Sequence, residues 1–191
     1  MHINRNLYDG VLRCLSELVI PDSIFNFDQL RLSEEIKLEA VKKGFTVAGA
    51  ESITGGLVSS YLTSTPGSSD YYLGCVVSYS VSSKVNLLHI DEELIKSRGV
   101  VSEEVAREMA ASARRIYGSD LAFGVTGYAG PPRGDEERPV GTVCFGFVFG
   151  NKNYTWTHFF SGERNEIREL AAKFVLCCLY VLLLNAWEKA E

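Results

Sequence analysis

The sequence predicts an α/β protein, a three-layer α/β/α sandwich on a mixed central sheet. Two patterns carry that expectation. Segments with apolar residues at helical spacing alternate with short β-branched and aromatic runs, the order of a sheet covered by helices on both faces. The last two runs are joined by Gly150-Asn151-Lys152-Asn153, a hairpin signal that makes part of the sheet antiparallel. A chain of 191 residues, 46% apolar and 23% charged, has the size and composition of one globular domain.

The elements follow in order. Leu7, Val11, Leu12, Leu15, Leu18 and Val19 recur at helical spacing until Pro21 ends the run. A helix this short is marginal alone, so its stripe must be buried on the body or on a partner. Residues 1–27 read as an N-terminal helical extension, with Ser23–Phe27 as connector, and residues 28–191 as the main domain. Asp28–Lys43 is a second helix, with Leu32, Ile36 and Ala40 on one face and Gly44 as its C-cap. A strand, Phe45–Ala50, and a helix, Thr54–Leu62, come next. Ser64–Ser69 is dense in turn residues. Tyr71–Tyr79 is a strand, and Val81–Leu88 a short helix carrying Lys84. Asp91 caps another helix that ends near Gly99. Ser102 caps the next, whose apolar face is Val105, Met109 and Ala113 and whose end is Gly118. Leu121–Thr126 is a buried-type strand that runs into the glycine-rich turn Thr126–Pro132, followed by a charged loop, Arg133–Arg138. Gly141–Phe149 and Tyr154–Phe160 are the hairpin strands. Glu163–Glu188 is a long final helix, apolar all round from Phe174 to Leu184. That run is shorter than the roughly 20 residues of a membrane span. It reads as a helix packed on the sheet on one side and on another subunit on the other, hence a homo-oligomer without membrane association.

Composition excludes several function classes. The net charge of −5 and the lack of a basic run argue against nucleic-acid binding. Cys14, Cys75, Cys144, Cys177 and Cys178 form no C-x-x-C pair, and most fall in apolar patterns, so they read as reduced thiols of a cytoplasmic protein. His2, His89 and His158 are scattered, so no metal site is expected.

Four places put polar groups at strand ends, where open α/β sheets bind ligands. They are Ser52 and Thr54 with Gly55 and Gly56, then Ser78-Tyr79-Ser80 with Lys84, then Thr126 and Gly127 with Gly130, and lastly Gly162-Glu163-Arg164 with Arg168 one turn on. In the first, a strand enters a helix through glycines, which aims backbone N–H groups and a positive dipole end at one point. An anion or a developing oxyanion is stabilised at such a point. Equally, Ser52 or Thr54 can serve only as the helix cap. A serine nucleophile needs a base, and no histidine lies in a suitable motif. Lysine can serve if burial lowers its pKa, and Lys84 is the best placed, although most lysines on helices are solvated.

These same residues carry a resemblance. Ala50-Glu51-Ser52-Ile53-Thr54-Gly55-Gly56 resembles the A-E-S-C-T-G-G motif of the CinA C-terminal domain family, the nicotinamide-nucleotide amidases. Tyr79-Ser80 with Lys84 is similar to Y-S-N-x-x-K, and Gly99-Val100-Val101-Ser102 to G-A-V-S. Val125–Pro131 with Pro139-Val140-Gly141-Thr142-Val143 resembles V-T-G-I-A-G-P…P-V-G-T-V. Gly162–Arg168 resembles G-D-R-x-x-I-R. Five motifs in order, over about residues 30–185, are far more specific than any one. Ile53 stands where the family has cysteine and Val81 where it has asparagine, and Pro132-Arg133-Gly134-Asp135 replaces a glycine-rich loop. The resemblance implies hydrolysis of the carboxamide of nicotinamide mononucleotide, with no metal or other cofactor. It implies Ser52 as nucleophile and Lys84 as base, Tyr79 and Thr126 in the site wall, Gly127 beside them, N–H groups near Thr54, Gly55 and Gly56 for the oxyanion, and Arg164 for the phosphate. The rival reading is a nucleotide-binding or interaction protein of the same fold that has lost turnover.

Overall fold

The computed structural model describes residues 5–131 and 138–187. Most of the charged loop expected at 133–138, and the expected end of the last helix at Glu188, lie outside them.

Five strands form one mixed sheet in the order β2-β1-β3-β4-β5. They are β1 (Val47–Glu51), β2 (Tyr72–Val77), β3 (Leu121–Gly127), β4 (Thr142–Phe149) and β5 (Lys152–Phe159). β1 is parallel to β2 and β3, whereas β3, β4 and β5 run antiparallel in sequence. The hairpin turn is tighter than the sequence suggests. Phe149 pairs with Lys152, leaving Gly150-Asn151 as a two-residue loop.

Seven α-helices cover the sheet among the described residues: α1 (Arg5–Cys14), α2 (Gln29–Lys43), α3 (Leu57–Thr63), α4 (Val81–Leu88), α5 (Glu92–Arg98), α6 (Glu103–Tyr117) and α7 (Arg164–Leu184). Several ends follow the expected cap chemistry. The Asp28 side chain accepts from Arg31 N–H, and Gly44 closes α2 at φ 71°. Ser102 and Gly118 do the same for α6. α1 is shorter than its apolar spacing suggests. The amide of Asn185 bonds both the N–H and the C=O of Val19, which holds the chain ahead of Pro21 out of the helix.

The two sheet faces differ in bulk. Leu121, Phe123 and Val125 of β3 and Phe145 and Phe147 of β4 join one large core with α7, α2 and α3. Ala50 and Ala122 point the other way, to Val105, Met109 and Ala113 of α6. Period-two alternation thus places large residues under α7 and small ones under α6. Leu7, Val11, Leu15, Ile24 and Phe25 belong to the larger core, so the N-terminal segment is packed into the same interior as the rest.

Thirteen residues of α7 are buried, from Ile167 to Leu183. α1, α2 and α3 pack on it together with β3 and β4. No described helix is long and apolar enough to cross a membrane.

Candidate active site

The register brings the motif ends into one row. Glu51 pairs with Val77 on one side and Val125 on the other, so the next residues, Ser52, Ser78 and Thr126, stand side by side beyond the sheet. The chain steps from β1 to β2 in one direction, while β3 lies on the opposite flank of β1. Ser52 therefore sits where the strand order reverses, the usual ligand crevice of an open α/β sheet. β5 ends at this same side and leads through Gly162 into α7, which delivers Arg164 and Arg168.

Here a cavity of about 220 Å³ is lined by Ser52, Ile53, Tyr79, Val81, Lys84, Val100, Val101, Thr126, Gly127, Tyr128, Ala129 and Arg164. It gathers six of the nine residues singled out from the sequence. Three larger clefts are present among the described residues: two, of about 400 and 470 Å³, lie along β5 beside α6 and α1, and one of about 310 Å³ lies between the β4–β5 turn and the end of α7. In the first, Glu103 already accepts from Thr155 and Thr157, and none of the three holds a nucleophile beside a buried base. Chemistry, rather than volume, selects the smaller one.

At its floor, Lys84 Nζ lies 2.9 Å from Ser52 Oγ and donates to the Ser78 carbonyl at 2.7 Å. Lys84 is fully buried and Ser52 nearly so. Burial pushes the lysine from its ordinary value of 10.5 down to about 8, because taking a charge out of water favours the neutral amine. α4 delivers it. Ser80 caps that helix by accepting from Ser83 N–H, and Lys84 shares the inward face with Leu88. The sequence grouped Ser78 with Lys84, but the role of the Ser78 carbonyl as the acceptor was not visible, since a backbone acceptor leaves no residue-type signal. The hydroxyls of Ser78 and Thr54 are buried without a hydrogen-bond partner among the described residues.

The rim is cationic and aromatic. Arg164 Nη2 donates to the Tyr79 hydroxyl at 2.9 Å, and its Nη1 to the Gly130 carbonyl. Tyr79 is 61% exposed, which places it at the mouth of the cavity rather than beside the Ser52–Lys84 contact. Thr126 donates its hydroxyl to the Val100 carbonyl at 3.0 Å.

The turn after Ser52 differs from both sequence alternatives. Neither Ser52 nor Thr54 caps α3. Residues 53–56 form a turn, and α3 begins at Leu57 with Gly56 in a left-handed conformation, φ 99°. The cap is Glu51, whose buried carboxylate accepts from the N–H groups of Gly56, Val58 and Ser59 and from the Ser59 hydroxyl. Gly55 N–H donates to the Ser52 carbonyl. Thr54, Gly55 and Gly56 thus stand outside the cavity lining, and two of their three N–H groups already have acceptors within the chain. A glutamate on the last position of an apolar strand, five residues before the helix, was the available signal. Arg168 meets this turn from α7, donating to the carbonyls of Ile53 at 3.1 Å and Thr54 at 3.0 Å.

A serine beside a buried, low-pKa lysine at the switch point of a mixed sheet marks the candidate site of an α/β protein. The chain belongs to the CinA C-terminal domain family, whose model matches residues 29–183. A CinA-like protein of Desulfotalea psychrophila is 40% identical over 181 residues, 95% of this chain and 44% of that protein. A CinA-like protein of Mycobacterium marinum is 50% identical over 124 residues, 64% of this chain and 29% of that one. The chain therefore spans less than half the length of these relatives. A competence or damage-inducible protein of Enterobacter asburiae superposes with a TM-score of 0.80 at 32% identity, covering 82% of this chain and 99% of that one. A competence-damaged protein superfamily structure from Escherichia coli gives 0.79 at 27% identity, covering 96% and 99%.

Proposed function

We propose that this chain hydrolyses the carboxamide of nicotinamide mononucleotide to nicotinate mononucleotide and ammonia. The observation that carries the reading is the 2.9 Å contact between Ser52 Oγ and the buried Lys84 Nζ. The motif resemblance supplies the substrate class. Neutral Lys84 accepts the Ser52 proton as Oγ attacks the carboxamide carbon. The Lys84 ammonium then gives that proton to the carboxamide nitrogen as the C–N bond breaks and ammonia leaves, and water releases the acyl group from Ser52 by the same route. The positive pyridinium ring makes the carboxamide a better electrophile. The N–H groups of Ile53 and Thr54, which have no acceptor among the described residues, are the donors left for the oxyanion.

Cavity size supports a division of labour. A space of about 220 Å³ is below the roughly 300–1,000 Å³ usual for drug-sized ligands. It takes the carboxamide-bearing ring and leaves the phosphate at the rim, where Arg164 stands. With α3's first N–H groups held by Glu51, the helix terminus does not compete for that phosphate.

The test is ammonia release from a panel of carboxamides. Turnover is expected with the nucleotide, and it rises with pH through about 8 as Lys84 loses its proton. At pH 7 roughly one amine in ten is neutral. Ser52→Ala abolishes release while nucleotide binding persists. Lys84→Arg does nearly the same, since arginine cannot give up its proton at usable pH. Arg164→Ala weakens the nucleotide far more than its dephosphorylated riboside. An active Ser52→Ala would replace the acyl-enzyme by direct water attack. A flat pH profile would remove Lys84 as base.

A further inference from the structure

Two charged side chains grip the turn that follows Ser52, from opposite chemical sides. Glu51 takes donors: its carboxylate holds the N–H groups of Gly56, Val58 and Ser59. Arg168 takes acceptors: Nε donates to the Ile53 carbonyl at 3.1 Å and Nη2 to the Thr54 carbonyl at 3.0 Å. Its remaining nitrogen, Nη1, donates to Asn165 Oδ1 at 3.3 Å. All three guanidinium nitrogens are thus engaged inside the protein, although Arg168 stands one turn from Arg164, at the phosphate rim. Only the N–H groups of Ile53 and Thr54 are left in the turn without an acceptor among the described residues.

We propose that Arg168 is a positioning residue that builds the oxyanion hole through the backbone. The inference rests on the serine-nucleophile reading above. In a planar trans peptide the C=O and the following N–H point in opposite directions. Fixing the Ile53 carbonyl therefore fixes the direction of Thr54 N–H. Fixing the Thr54 carbonyl sets the next peptide, whose N–H closes onto the Ser52 carbonyl. A planar fork engages two carbonyls at defined angles, and a lysine offers only a point charge. Preorganised donors act because they need not turn when charge develops on the substrate oxygen. Arg168 is not itself part of the cavity lining and meets it only at the Ile53 carbonyl, so its effect runs through the orientation of this turn.

The experiment compares Arg168→Ala and Arg168→Lys with the unaltered chain on two substrates, nicotinamide mononucleotide and p-nitrophenyl acetate, with melting temperatures measured in parallel. For Arg168→Ala, kcat is expected to fall about 100-fold, the loss typical of one oxyanion donor, with KM for the nucleotide within about twofold. Binding of the nucleotide's aldehyde analogue, which forms a tetrahedral adduct on Ser52, falls in proportion to kcat/KM, and added guanidinium ion restores part of the rate. Arg168→Lys is intermediate. A raised KM with unchanged kcat would make Arg168 a phosphate contact and overturn the proposal. So would full activity in Arg168→Lys, which would leave charge alone as the agent, or a loss explained by a lowered melting temperature. Ester turnover without nucleotide turnover would remove the substrate assignment, and Arg168 is then judged on the ester. No turnover of either by the unaltered chain would overturn both.

Discussion

On α4, Lys84 and Leu88 share the inward face, and the lysine brings a charge into the protein where a second leucine would bring none. Its pKa of about 8, against an ordinary 10.5, is a statement about stability as well as chemistry. Below pH 8 the amine is protonated both folded and unfolded, and the fold bears the whole burial penalty, roughly 3 kcal/mol at about 1.4 kcal/mol per pKa unit. Between about 8 and 10.5 the unfolded chain holds the proton while the folded one releases it, so stability rises with pH across that window. Lys84→Met is therefore expected to be inactive yet more stable at pH 7. The gain is about 1–2 kcal/mol, less than the full penalty because the Ser78 carbonyl loses its donor. Chemical denaturation at pH 7 and pH 10 checks this, with the gain shrinking at the higher pH. A variant less stable than the parent at pH 7 would mean that the amine bears no burial cost. The sequence offered Lys84 only by position. Its burial arises from a helix whose inward face ends on two oxygens, the nearby Ser78 carbonyl and the distant Ser52 hydroxyl, and no local period encodes the second.

At the scale of elements, α6 lies close on β3 and β4 because those strands put only small residues beneath it, alanine, cysteine and, at the tightest points, glycine. A Cβ on Gly124 would stand 2.2 Å from the Ala106 carbonyl oxygen, and one on Gly146 2.5 Å from the Ala106 carbonyl carbon. The obstacle is helix backbone, which cannot rotate aside as a side chain can. Gly124→Ala must lift α6, and with it the preceding Val100–Val101 stretch that lines the cavity. Overpacking of this kind costs about 1–3 kcal/mol or more, a fall in melting temperature of roughly 3–10 °C for a chain of this size. Thermal denaturation reads it, and an unchanged melting temperature would mean that α6 is not seated on that glycine. The helices with ordinary caps were legible from the chain: Asp28 and Gly44 bound α2, and Ser102 and Gly118 bound α6. The start of α3 was not. Its cap is the strand residue Glu51, reaching over a four-residue turn, and local rules credit the hydroxyls of Ser52 and Thr54 instead. Nor does any spacing say that glycines 124 and 146 exist to admit a helix rather than to form turns.

For the whole molecule, five separated motifs become one site only because β1, β2 and β3 are parallel and β5 returns the chain to their carboxyl ends. Motif order was readable; strand order was not, because it depends on which faces the helices can cover. The same topology leaves β2 at one edge of the sheet. The opposite edge, β5, carries Lys152 at its start and has α1 packed against it. β2, by contrast, reads Tyr72-Leu73-Gly74-Cys75-Val76-Val77, without a charge or a proline. Leu73 is 41% and Val77 47% exposed, and Leu87 on the neighbouring α4 is 54% exposed. Open strand edges are normally blunted by lysine, proline, a bulge or a covering element; β2 has a register irregularity at Leu73, opposite Val47 and Ala48, but neither lysine nor proline. Self-association was expected from the apolar faces of the last helix. Those faces are covered within the chain by α1, α2 and α3, and the surface we propose for a second copy is the open β2 edge. A homo-oligomer in which two such edges join the sheets is therefore expected, and light scattering at micromolar concentration should give a multiple of 21.1 kDa. Leu73→Lys, away from the cavity lining, should return the monomer mass with folding intact, because two lysines brought face to face repel where two leucines would pack. A monomer in the unaltered chain, or an oligomer that Leu73→Lys leaves whole, would move the interface off this edge.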